Sequence, residues 1–194
     1  MQKAECPSET GQNYFFGTSR RKNYRKAFPY LLKAANRGDV HCQNLVGYCY
    51  NLGLGVRKNT RLALHWYQKA ANSHHVEALF NLAQLYEEGV GVEVNHRKAF
   101  MLYKRAAELG AAFAQCNLAV SYLEGLGTRQ NLAKGIEWMR KAAQKGDVKA
   151  QYNLGMAYLD GEGVRRSSRN ARIWLEKAAK QGHKKATAAL PHAS

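Results

Sequence analysis

The dipeptide Ala34-Ala35 returns as Ala70-Ala71, Ala106-Ala107, Ala142-Ala143 and Ala178-Ala179, 36 residues apart each time, with no insertion or deletion. An unbroken period of that length marks a solenoid, in which one supersecondary unit buries its apolar face against copies of itself. A stack of this kind offers edges and faces for binding rather than an enclosed pocket. The same register carries Tyr14, Tyr50, Tyr86, Tyr122 and Tyr158, then Gly17, Gly53, Gly89, Gly125 and Gly161. A second glycine follows at Gly55, Gly91, Gly127 and Gly163, and a large apolar residue recurs at Tyr30, Trp66, Leu102, Trp138 and Trp174.

Each period reads as two helices. Ala114, Asn117-Leu118-Ala119 and Tyr122 recur at three- and four-residue intervals, which predicts a first helix, A. Gly125-Leu126-Gly127 ends it, because glycine accepts the left-handed backbone of a helix C-terminus. Asn131 then starts helix B, with Asn23, Asn59, Asn95 and Ser167 as counterparts. Every unit thus offers a side chain for the free N–H groups of that helix, worth ~1 kcal/mol. Ile136, Trp138, Met139, Ala142 and Ala143 make up the packed face of helix B, so Trp66, Trp138 and Trp174 are expected to be buried. Gly38, Gly110, Gly146 and Gly182 close the B helices, and His74 alone departs from glycine there.

The predicted fold class is all-α: a right-handed superhelical solenoid of about five 36-residue helix-turn-helix repeats. Residues 1–194 read as one domain, with a degenerate first repeat (1–37), full repeats over 38–73, 74–109, 110–145 and 146–181, and a short capping helix in 182–194. No apolar run reaches the ~20 residues of a membrane span. The opening Met1–Pro7 lacks a signal-peptide stretch, which points to a cytoplasmic protein. Four cysteines are too few and too irregular for a disulfide framework. Cys42 and Cys49 fall in one helix, about 10.5 Å apart along its axis, beyond the ~7 Å a bridge tolerates. Cys42 replaces the small residue seen at Ala78, Ala114, Ala150 and Ala186, so all four thiols are expected to be reduced.

The strings Ala-Gln-Tyr-Asn-Leu-Gly (150–155), Gly-Glu-Gly-Val (161–164) and Trp-Leu-Glu-Lys-Ala-Ala (174–179) resemble the Sel-one-like repeat (SLR) family. That family is related to tetratricopeptide repeats, and the resemblance runs from residue 14 to 186. A plain tetratricopeptide array has a period of about 34 residues, without the Gly-x-Gly turn. The resemblance implies an adaptor scaffold that holds peptides or protein partners. Its departures lie in charge: Asn59, Asn95 and Asn131 stand where the family commonly has an acidic residue.

Catalysis finds little support. Asp39, Asp147 and Asp160 are the only aspartates, and two of them share a turn position. His74-His75 has only Glu77 as a nearby further ligand, so no metal or other cofactor is expected. The Gly-x-Gly pairs follow a helix rather than a strand and lack the Lys-Ser/Thr sequel of a phosphate loop. No catalytic residue is assigned, and the chain is read as a non-enzyme.

Charge is more informative. Thirty Lys and Arg against fourteen Asp and Glu give a formal net charge of +16. Arg21, Arg57, Arg129 and Arg165 share one repeat position, interrupted by Glu93, while Arg25, Arg61, Arg97 and Arg169 share another. Equivalent positions of a solenoid align, so these eight arginines are expected to form a basic edge by the Gly-x-Gly turns. Both ends thicken it, through Arg20-Arg21-Lys22 and through Arg165-Arg166. Lys33, Lys69, Arg105, Lys141 and Lys177 form a third row near the end of helix B, where a cation suits the helix dipole. On the A helices, the tetratricopeptide relationship places a groove along Asn44, Tyr48, Phe80, Asn81, Gln84, Asn117, Tyr152, Asn153 and Met156. Asparagine there can grip the main chain of an extended peptide, or else bond to the next repeat and hold the stack together. The leading expectation is a scaffold for an acidic protein or peptide segment. The alternative is a basic solenoid that binds nucleic acid or another polyanion by phosphate contacts.

Overall fold

The computed structural model describes residues 7–193. Among them are eleven α-helices and no strand: α1 (Pro7–Gln12), α2 (Tyr24–Asn36), α3 (Val40–Leu52), α4 (Thr60–Asn72), α5 (Val76–Glu88), α6 (His96–Glu108), α7 (Ala112–Glu124), α8 (Leu132–Gln144), α9 (Val148–Asp160), α10 (Ser168–Lys180) and α11 (Lys184–Ala189). A π-helical turn (Asn13–Gly17) follows α1, and a 3-10 turn (Leu190–Ala193) follows α11. No helix of the described residues is long and apolar enough to cross a membrane. The chain divides into two compact units, Met1–Asn95 and His96–Ser194. The first holds α1 to α5, the second α6 to α11.

Two sets of caps end the helices where the sequence requires it. The side chains of Asn23, Asn59 and Asn131 accept from the N–H groups of Lys26, Leu62 and Lys134 at 3.0, 3.0 and 2.9 Å. Ser167 does the same for Asn170 at 3.3 Å. The backbone N–H of the residue before each B helix donates to the carbonyl of the recurrent tyrosine: Asn23 to Tyr14, Asn59 to Tyr50, Asn95 to Tyr86, Asn131 to Tyr122 and Ser167 to Tyr158, all within 2.7–2.9 Å. The degenerate first repeat keeps this bond, so its turn is built like the others even though α1 is only six residues long. A third kind of cap was not anticipated. Asp39, His75, Asp147 and His183 each accept from a backbone N–H of the following A helix, and only Ala111 lacks a side chain to do so.

The two-glycine turn has a packing role as well as a conformational one. Gly127 has φ +69°, and a Cβ there would overlap the carbonyl of His96 at the start of α6. Gly55 stands in the same relation to Tyr24 at the start of α2. Each turn therefore rests on the first residues of the preceding B helix, and any side chain would push the two repeats apart.

In the first unit the core gathers Phe15, Leu31, Leu45, Val46 and Trp66 around the Ala34-Ala35 pair. In the second, Ile136, Met139, Ala142, Ala143 and Leu154 form one cluster, and Leu175, Ala178 and Ala186 another under α11. The tryptophans differ from expectation. Trp66 is 6% exposed, but Trp138 and Trp174 are only half-buried. Their position lies at the rim of the helix interface, where part of the ring meets water. Lysine covers that part: Lys69, Lys141 and Lys177 place their ammonium groups 4.8, 4.2 and 4.3 Å from the ring centres of Trp66, Trp138 and Trp174. In three repeats the third basic row is thus tied to the tryptophan one turn earlier by cation–π contact, in addition to its helix-end position.

Candidate functional site

The B helices and their turns carry the arginine rows. Arg21, Arg57, Arg129 and Arg165 stand just before the B helices, while Arg25, Arg61, Arg97 and Arg169 lie in their first turns. All eight are exposed. Among the described residues none of them pairs with a carboxylate. Ion pairs there include those of Lys104 with Glu108, Lys141 with Glu137, and Arg172 with Glu176, none of which involves these arginines. In the first unit Arg21, Arg25, Arg57 and Arg61 belong to two successive repeats, and in the second Arg97, Arg129, Arg165 and Arg169 belong to three. Guanidinium groups without internal partners leave their charge and all five N–H donors to an outside ligand.

The A helices hold the other candidates. In the first unit Asn44 is buried, and its Oδ1 accepts from Asn81 Nδ2 at 3.1 Å, linking α3 to α5. That pair bonds between neighbouring repeats. Tyr48 is 38% exposed, its ring edge-on to Phe15, while Phe80 and Gln84 are half-buried. In the second unit Asn117 and Asn153 are half-buried, and their side chains have no hydrogen-bond partner among the described residues. Tyr152 stacks on His183 with ring centres 4.5 Å apart, and Met156 packs on the cluster beneath α11. Part of the expected groove therefore also serves the C-terminal packing.

Sequence reasoning passed over a further set of polar residues. Gln43, Gln115 and Gln151 are buried, and each Nε2 donates to the carbonyl of the second alanine of a pair: Ala35 at 3.3 Å, Ala107 at 3.1 Å and Ala143 at 3.2 Å. Their recurrence eight residues after the alanine was the available signal. Cys42, Cys49 and Cys116 are free, as expected, and all three are buried, which was expected of Cys42. Cys6 lies outside the described residues. Burial pushes the thiol pKa up to about 11 for Cys42 and about 12 for Cys49 and Cys116, so none of the three offers a reactive thiolate. No group of three or more metal-ligating side chains comes together among the described residues.

Paired helices repeated at a fixed interval, capped alike and stacked through alanine pairs, define an α-solenoid of helix-pair repeats. The Sel1 repeat model matches residues 9–39, 40–75, 76–110, 112–147 and 148–183, and the chain belongs to the Sel1 repeat family. A Sel1 repeat protein from Oxalobacter formigenes is 32% identical, with a TM-score of 0.88 over 95% of this chain and 73% of that one. The protein c5321, a protective antigen present in uropathogenic Escherichia coli strains and displaying an SLR fold, is 34% identical with a TM-score of 0.87, over 95% of this chain and 40% of its own. Immunity protein Pa5087 from Pseudomonas aeruginosa, 20% identical with a TM-score of 0.60 over 93% of this chain and 67% of its own, shares the fold alone. Among curated proteins none matches the chain. Sel1-repeat proteins generally mediate protein–protein interaction, typically as non-catalytic scaffolds.

Proposed function

We propose that this chain is a cytoplasmic interaction scaffold that takes up an acidic protein or peptide segment. The supporting observation is the set of eight exposed arginines at equivalent positions, none paired with a carboxylate among the described residues. Unpaired charge repeated along a surface speeds encounter with an oppositely charged partner more than it tightens the final complex. The grip would come from the A helices. Asn117 and Asn153, with free amides, are its main candidates, beside Tyr152 and Met156; Asn44, Tyr48, Phe80, Asn81 and Gln84 would act in the first unit.

The two roles separate by mutation. With a partner captured from lysate in the presence of nuclease, replacing Arg57, Arg61, Arg129, Arg165 and Arg169 by glutamine should slow association and flatten its salt dependence. Asn117→Ala with Asn153→Ala should instead raise the dissociation rate. If the asparagine variant loses stability and keeps its affinity, those residues only hold repeats together. If nuclease abolishes capture altogether, the ligand is nucleic acid and the proposal fails.

A further inference from the structure

A cleft of about 520 Å3 opens in the second unit between α8, the end of α9 and the turn into α10. Three arginines line it: Arg140 from α8, and Arg165 and Arg166 from the turn. Tyr158 and Ser167 add hydroxyl groups, and Val164 an apolar wall. Two of the guanidiniums are held in place by the protein. Arg140 donates to the Tyr158 hydroxyl at 3.3 Å, and Arg166 Nε donates to the Leu159 carbonyl at 2.8 Å. The Ser167 oxygen already accepts from the N–H of Asn170, which leaves its own proton to donate. None of the three arginines meets a carboxylate among the described residues.

The fold does not require this charge. A cleft of about 440 Å3 in the first unit shares three lining positions with it two repeats earlier, Gln68, Tyr86 and Val92, and is otherwise lined by α4 and Leu82. Tyr86 and Val92 match Tyr158 and Val164, but Gln68 stands in place of Arg140, Glu93 in place of Arg165 and Val94 in place of Arg166. The same scaffold is therefore built without any of the three guanidiniums.

We propose that the second cleft is a binding site for a phosphate monoester group. Three guanidiniums around one cleft repel each other, and a single carboxylate would leave most of that repulsion in place. A phosphate monoester carries about −1.5 to −2 charges at pH 7 and three strong acceptor oxygens. Arginine forks meet such oxygens two bonds at a time, and the two hydroxyl groups supply further donors. The site shares Arg165 with the basic edge but stands whether or not the A helices hold a peptide.

The test is a residue-resolved NMR titration of the full chain at constant ionic strength, with inorganic phosphate, O-phosphoserine and acetate as probes. Phosphate and phosphoserine should give saturable shifts at the amides of residues 165–170, and acetate should give far weaker ones. Arg140→Gln with Arg165→Glu, which installs the residues found two repeats earlier, should weaken phosphate binding about tenfold or more. Lys180→Gln with Lys184→Glu, an equal change of charge at the far end of α10 and the start of α11, should not. Equal responses to acetate and phosphate, equal losses in the two double variants, or shifts spread evenly over all arginines would overturn the site. Should the double variant fail to fold, Arg165→Glu alone gives the same comparison. A phosphoserine peptide that binds more tightly than phosphoserine itself would identify the source as a partner's modified side chain. One that binds no better than inorganic phosphate would identify a free small molecule.

Discussion

A cleft in the first unit and one in the second share a tyrosine and a valine of the frame and differ in charge. Tyr86 and Val92 in the first correspond to Tyr158 and Val164 in the second, because the tyrosine carbonyl holds the next B helix and the valine packs the turn. Gln68, Glu93 and Val94 stand at the repeat positions of Arg140, Arg165 and Arg166; all six are exposed, and of the first three only Gln68 lines the first cleft. The lesson is that a repeat protein separates its framework from its specificity position by position. What recurs holds repeats together, and what varies at an exposed equivalent site is free to meet a ligand.

That comparison can be broken most forcefully through the frame. Leu82 and Leu154 are equivalent and buried, at 1% and 0% exposure. Leu82→Ala and Leu154→Ala should each cost ~2–5 kcal/mol, the usual range for a core leucine, in chemical denaturation. A large loss in only one unit would mean the two frames are not alike. Trp66→Ala should cost ~3–5 kcal/mol, as for a buried aromatic. Trp138→Ala should cost roughly half as much, because its ring is half-exposed and carries Lys141. Equal losses for the two tryptophans would contradict their different burial.

A smaller effect depends on pH and belongs to the first unit. His75 caps α5 through Nδ1, and burial lowers its pKa, the nearby Glu77 opposing and His41 reinforcing the shift. A histidine whose folded pKa lies below its unfolded value favours folding most when neutral. Its contribution is therefore present above about pH 6.5 and is lost as the pH falls through that value toward the folded pKa. His75→Asn keeps a capping side chain and should flatten the melting temperature between about pH 7 and pH 5. An unchanged pH profile would rule this histidine out as the source. Smallest in stability is the charge exchange itself. Gln68→Arg with Glu93→Arg should alter stability by no more than about 0.5 kcal/mol, yet bring phosphate-dependent shifts to the first cleft. If that variant folds normally and gains no response, charge at these positions is not what distinguishes the clefts.

Much of the frame was legible because the interactions that build it repeat. The alanine pairs and the B-helix caps return at every period and the two-glycine turns at four of the five, because each is a local demand of backbone geometry or close packing. The tryptophan row was legible as packing but not as rim packing, since a 36-residue period reports equivalence and not depth. Arg140 was missed for a related reason. Its equivalents Gln68 and Lys104 form no row, and a search for recurrence discards any residue that acts alone. Asn81 reads from the sequence equally as a ligand grip or as a bond between repeats, and the structure bonds it to Asn44 of the preceding repeat.

The amino-acid sequence by itself determined the all-helical repeat, its turns and caps, and the positions where arginine recurs. Local geometry suffices for these: glycine's access to positive φ, the reach of an asparagine side chain to an N–H three residues on, and the rise of a helix. Only the tertiary structure decided which polar side chains are already engaged and which are left over. It tied Asn81 to Asn44, laid lysines on the tryptophans, and brought Arg140 to Arg165 and Arg166 around one cleft. Those outcomes depend on distances between segments remote in sequence, which packing sets and no local pattern encodes.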